Sequence, residues 1–128
     1  MNSRARAAWD LYLTRSESGS GAAALQLLRV IANDSYTTGQ FLYAAKAFDV
    51  LEKLDAANNE VWAGKFGACA GVLLAVAAGT EKRESLREVH TMLRASAAAA
   101  LPGSLVHAQA DALSRAIQRY AQAATGAK

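Results

Sequence analysis

The sequence predicts an all-α protein, a right-handed array of antiparallel helical hairpins with about six helices. Three observations carry that expectation. Alanine supplies 31 of the 128 residues and proline only one, Pro102, and no run alternates apolar and polar residues with the period of two that a strand requires. Apolar residues instead recur at three- and four-residue steps, as in Ala44, Ala47, Phe48, Leu51 and Leu54, the spacing of one helix face. The stretch from Leu25 to Asn58 then forms a 34-residue unit in which two amphipathic segments flank a turn at Thr37-Thr38-Gly39. So many small side chains also imply helices packed closely, because interaxial distance follows side-chain size. The length suits a single domain, 1–128, with a sizeable core.

A first helix is expected over 3–15, with Ala5, Ala8, Trp9, Tyr12 and Leu13 on one side. Ala5 and Trp9 keep the four-residue offset of Ala44 and Phe48, so this segment reads as the second half of an earlier hairpin, a half repeat. Ser16 to Gly21 is rich in Ser and Gly and is expected to be a flexible loop. The central unit, 22–58, has the length of a tetratricopeptide repeat. Ala32 is its small first-helix residue, Gly39 its turn, Phe41 the start of the second helix, Ala44 and Phe48 the small-then-aromatic pair, and Asp55 its close. Two positions depart from that pattern. Ala56 stands where the repeat has proline, and Ser35 takes the tyrosine slot with Tyr36 beside it. An ordinary helical bundle is the plainer alternative.

A second, lengthened repeat spans 59–100. Trp62 falls at its aromatic position, and Gly64, Gly67 and Gly71 lie on or near one face of a long helix from Val61 to Ala78. Each buried glycine costs about 0.5–1 kcal/mol relative to alanine, so close approach of another helix is the expected reason for them. A bulky residue at Gly67 is accordingly expected to cost more than about 2 kcal/mol by overpacking. Gly79 should end that helix and Thr80 cap the next, with Glu81 and Glu84 at its positive start. Leu86, Val89, His90 and Leu93 form the inward stripe of this helix, and Leu101-Pro102-Gly103 breaks it. Ser104 should cap a final helix over 104–124, before a disordered tail from Thr125 to Lys128.

The net charge is +3, with basic residues dispersed among acidic ones, so no nucleic-acid partner is expected. A single cysteine, Cys69, cannot form an internal disulfide, which fits a reducing compartment. The uncharged run from Phe66 to Thr80 falls short of the roughly 20 residues that cross a bilayer, so no membrane insertion is expected. The N-terminal segment lacks the apolar core of a secretory signal. No catalytic, cofactor or metal site is expected. His90 and His107 lie on different helices without acidic or cysteine partners at ligand spacing, Cys69 sits inside an apolar helix with no cation to activate it, and the carboxylates are scattered. The charged face of Lys46, Asp49, Glu52 and Lys53, with Asp49 and Lys53 paired at i,i+4, reads as solvated. What remains is surface. The first helices of repeat hairpins line the side on which partner peptides bind, which nominates Gln26, Arg29, Asn33, Tyr36 and Thr37, with Glu60 and Lys65 from the second repeat, as protein-binding residues. Trp9 and Tyr12, on the outer side of the first helix, are candidates for self-association into a crystal or homodimer contact.

Read together, AAWDLYL, LLRVIANDSY, GQFLYAAKAFDVLEKLD, VWAGKFGACAGV and ESLREVHTMLR resemble the C-terminal end of the tetratricopeptide-repeat subunit of intraflagellar transport complex B, over roughly Ala5 to Ser96. The resemblance implies a non-enzymatic scaffold without cofactors, found in the cytoplasm and the cilium or flagellum. It implies docking on other complex B subunits or ciliary cargo proteins, in support of ciliary assembly and the transport of motility proteins. Family members are longer, with repeats before this region, which implies a fragment or a shortened relative. The Ala/Gln-rich last helix matches the family end poorly. A generic peptide-binding adaptor of the co-chaperone kind, recognising acidic C-termini through Arg29, Asn33 and Lys65, is one alternative. A small helical enzyme or ligand carrier with a roomy polar pocket is another.

Overall fold

The computed structural model describes residues 3–17, 21–55 and 57–126. Six helices follow one another: α1 (Ser3–Glu17), α2 (Gly21–Thr37), α3 (Phe41–Leu54), α4 (Asn59–Ala77), α5 (Glu84–Ala99) and α6 (Leu105–Gly126). Among the described residues there is no strand. The expected all-α array of helical repeats is therefore what the chain adopts. It divides into two compact units, Met1–Cys69 and Ala70–Lys128.

In the first unit α2 and α3 form the central hairpin, and α1 packs on both. Its turn is a Schellman motif: the Gly39 N–H donates to the Tyr36 carbonyl (3.2 Å) and the Gln40 N–H to that of Ser35 (2.7 Å). Gly39 has φ +80°, a left-handed conformation that a Cβ would penalise. The repeat's key positions lie inside as expected, with Ala32 and Ala44 wholly buried and Phe48 8% exposed. Ser35 fills the tyrosine slot as a buried residue. The ring comes from Tyr36, which meets Phe41 and Phe48 edge-on at 5.6 and 6.4 Å. Leu54, expected on the buried face, is exposed, because it is the last residue of α3.

Two rings of the hairpin then reach the backbone of the first half of α4. Asn58 caps it, its Oδ1 accepting the N–H groups of Glu60 (2.9 Å) and Val61 (3.4 Å). A Cβ on Gly64 would stand inside the Phe48 ring, with Cδ1 at 2.9 Å and the ring tip nearer still. A Cβ on Gly67 would lie 2.5 Å from the Tyr36 hydroxyl oxygen. Between the two glycines Lys65 is fully buried, its Nζ 2.8 Å from Asp49 Oδ1 and 2.7 Å from Glu52 Oε1 of α3. The expected solvated face of α3 is thus corrected: Asp49 and Glu52 receive a buried cation. By length and composition α4 could cross a membrane, with mean hydropathy 1.4 and 44% of that stretch buried. Its apolar stretch is Asn59–Ala77, longer than the uncharged run from Phe66. The buried ion pair in its middle and its seat on Phe48 are those of a core helix.

In the second unit the end of α4 closes with a further Schellman pattern at Gly79, Thr80 N–H to Ala75 O at 2.9 Å. The expected cap at Thr80 is overturned. Its hydroxyl turns back to the Ala75 carbonyl, and α5 starts later, at Glu84, after Arg83. Glu81 instead accepts the hydroxyl hydrogen of Ser85. α5 and α6 run antiparallel, as their cross-contacts show. Arg83 reaches the Ala121 carbonyl and Arg94 reaches Asp111, 3.0 Å away, and Ser114. Leu86, Val89, Leu93 and Ala97 of α5 are buried, as are Ala110 and Ile117 of α6. Ser104 caps α6 as expected, its Oγ accepting the His107 N–H, and Asp111 pairs with Arg115 at 3.0 Å.

Of the expected loop from Ser16 to Gly21, Ser16 and Glu17 belong to α1 and Gly21 to α2, while 18–20 lie outside the described residues, as does Ala56. Of the expected tail, Thr125 and Gly126 belong to α6 and 127–128 lie outside.

These contacts rank the two glycines. Phe48 is buried and cannot yield, whereas the Tyr36 hydroxyl ends a side chain that is 39% exposed. Gly64→Ala is expected to destabilise by about 2 kcal/mol. Gly67→Ala should lie within about 1 kcal/mol of wild type, because the gain in helix propensity offsets a small ring shift. Urea denaturation of the two variants measures the difference.

Candidate functional site

Five of the seven residues nominated for protein binding converge on one groove of about 350 Å³ in the first unit. One wall is a single stripe of α2, Arg29, Asn33, Tyr36 and Thr37, at the four- and three-residue steps that share a helix face. The other is the start of α4, Asn58, Glu60, Val61 and Gly64, and the floor is Ala32, Phe48 and Leu51. Gly64, by carrying no side chain, keeps the cleft open above Phe48. The Thr37 hydroxyl is occupied by the Asn33 carbonyl at 2.8 Å, so the groove's open polar groups are Arg29, Asn33 and Glu60, all exposed. An apolar floor under a rim of Arg, Tyr and Asn has the composition of a protein-binding patch.

Two nominated residues do not share this arrangement. Gln26 is exposed on α2 but does not line the groove. Lys65 is wrongly nominated: it is buried, with its side chain 1% exposed, and it is held by two carboxylates of α3. A long apolar stem allowed its charge to be drawn inward once two carboxylates were there to receive it, which no reading of α4 alone reveals. On α1, Tyr12 is also buried, 9% exposed, and stacks beside the half-buried Trp9 at 5.3 Å. The outward large residues of α1 are Leu11 and Leu13, so self-association through a Tyr12 surface is corrected. Leu13, expected on the same side as Trp9 and Tyr12, is exposed and so parts from Tyr12. Asn58 and Val61 are groove residues that the sequence reading missed. The Asn-Asn-Glu start of α4 was the available signal, since an N-cap places its neighbours at a helix mouth.

A family model, Intraflagellar transport protein 56, matches residues 1–126. The chain belongs to that family. A curated Caenorhabditis elegans relative, "Intraflagellar transport protein 56 homolog", is 41% identical over 71 residues, which are 56% of this chain and 12% of the relative. The chain thus covers about an eighth of the curated relative it matches. No solved structure matches. Because the family match runs through α6, the expectation that the last helix departs from the family is overturned.

In this member of the intraflagellar transport protein 56 family, Cys69 is fully buried. Burial pushes its thiol up from 9.0 to about 12; the Lys65 cation pulls it down, and Asp49 and Glu52 push it up again. A thiol so held is protonated at neutral pH and a poor nucleophile. Among the described residues no group of three or more His, Cys, Asp or Glu side chains is placed to hold a metal ion.

Two measurements check this electrostatic core. Lys65→Ala, which takes the buried cation away from Asp49 and Glu52, is expected to cost about 3 kcal/mol, and Lys65→Met less, as read by urea denaturation. The folded thiol keeps its proton where the unfolded one loses it, so Cys69 stabilises below about pH 9 and loses that contribution as pH rises towards 12. Stability should therefore fall more steeply between about pH 8 and about pH 10.5 in wild type than in Cys69→Ala; parallel curves would contradict the assignment.

Proposed function

We infer that the chain is a non-enzymatic protein–protein interaction scaffold of the intraflagellar transport machinery. In this reading it supports assembly of the cilium or flagellum and the transport of motility proteins, and works in the cytoplasm and the cilium. Its partners are other complex B subunits or ciliary cargo proteins. Family membership over residues 1–126 carries the reading, and the groove between α2 and the start of α4 supplies the means. A partner side chain enters over Phe48 and Leu51, while Arg29, Asn33 and Glu60 fix its orientation by hydrogen bonds. The mechanism is binding, with affinity drawn from the floor and selectivity from the rim.

The co-chaperone-like alternative is not favoured. It needs a cationic clamp for a terminal carboxylate, and with Lys65 buried only Arg29 and Asn33 remain.

The test is co-purification of the tagged chain from flagellated cells, with the recovered proteins identified by mass spectrometry. Known intraflagellar transport subunits are expected, and the variant Arg29→Glu, at an exposed position, should lower their recovery about tenfold without changing the melting temperature. Recovery of no transport subunit, alongside firm binding of a peptide with an acidic C-terminus, would overturn the proposal.

A further inference from the structure

The second unit holds a groove of its own, about 420 Å³, lined by Arg83, Leu86, Arg87 and His90 of the α5 side and by Ile117 and Ala121 of α6, with Glu84 and Gln118 at its rim. Its floor is apolar: Leu86 is 4% and Ile117 2% exposed. Arg83, Arg87 and His90 follow one another at steps of four and three, so they stand in a row along one face of α5. Arg83 is steadied by donating to the Ala121 carbonyl at 3.4 Å, which holds the head of the row against α6. Arg87 is exposed. Two guanidinium groups and an imidazole thus border an apolar trough that contains one carboxylate, Glu84. None of these side chains contributes to the α2–α4 groove.

We propose that the α5–α6 groove docks an acidic amphipathic helix of a partner protein. The charge of the rim selects carboxylates, and guanidinium groups bind them in a directed, two-pronged way. The spacing selects a helix. Four residues along α5 rise about 6 Å, which matches carboxylates at i and i+4 of a second helix. An apolar side chain on the same face of the incoming helix fills the trough above Leu86 and Ile117, and a carboxylate one turn along lies by His90. Charge gives steering and register, and the buried apolar residue gives the hold. This groove shares no lining residue with the α2–α4 groove, so a partner lost from one need not be lost from the other.

Fluorescence anisotropy with the whole chain tests it. The probe is a labelled, C-terminally amidated peptide of about four helical turns with glutamates at i and i+4 around a leucine; amidation removes any terminal carboxylate. Saturable binding is expected, weakened about tenfold by Arg87→Glu, a surface change that should leave the melting temperature alone. Tyr36→Ala should bind as wild type does. Replacing the probe's leucine with serine should weaken binding comparably. No saturation by about 1 mM probe, equal binding by Arg87→Glu, or indifference to the leucine would overturn the proposal. So would tighter Arg87-dependent binding to vesicles of anionic phospholipid, which would assign the row to a membrane surface instead.

Discussion

The first unit depends on how closely two rings of the α2–α3 hairpin approach the backbone of α4. That closeness is possible because two positions of α4 carry no side chain where two rings already stand. Gly64 faces Phe48 and Gly67 faces the Tyr36 hydroxyl. Dispersion is short-ranged, and a gap of even half an ångström forfeits a sizeable part of it, so ring-on-backbone contact recovers what the glycines cost in helix propensity. The same arrangement makes the groove. With a side chain at 64 the cleft between Tyr36 and Val61 would be filled from below, and the α2 stripe would border a closed surface.

The ion pair between those glycines acts differently. Removing a lysine and two carboxylates from water is costly, and well-packed apolar residues in their place could serve stability as well. Geometry is what the pair adds. Lys65 reaches Asp49 and Glu52 together only at one register of α4 along α3, because the carboxylates are three residues apart on one face. Lys53, held to Asp49 from solvent at 3.3 Å, extends the chain of charges outward. The buried thiol of Cys69 belongs to the same neighbourhood and stays protonated because of burial first and the two carboxylates second.

Much of this was legible along the chain. The 34-residue unit, the Gly39 turn and the interior positions of Ala32, Ala44 and Phe48 follow from helical spacing and the geometry of one hairpin, both local properties. The binding stripe of α2 was legible for the same reason. What escaped depended on a second helix. Asp49 and Glu52 look like a solvated face until Lys65 arrives from α4, and Lys65 looks like a surface residue until they receive it. Tyr12 and Leu13, expected on one side, part because two adjacent residues differ by about 100° around α1, and only the packing on α2 and α3 fixes which one turns inward. The start of α5 moved from Thr80 to Glu84 because the Thr80 hydroxyl was taken by the preceding helix, a competition within the local backbone that spacing cannot decide.

Whether ring-on-glycine contact sets the structure of the first unit can be measured directly with a double-mutant cycle between Gly64→Ala and Phe48→Leu, read by urea denaturation. If the contact governs the approach of α4, the alanine should be tolerated once the ring is gone, giving a coupling of about 1 kcal/mol or more. Strictly additive effects would mean that α4 is positioned by something else, and the account of the groove built on that contact would fail.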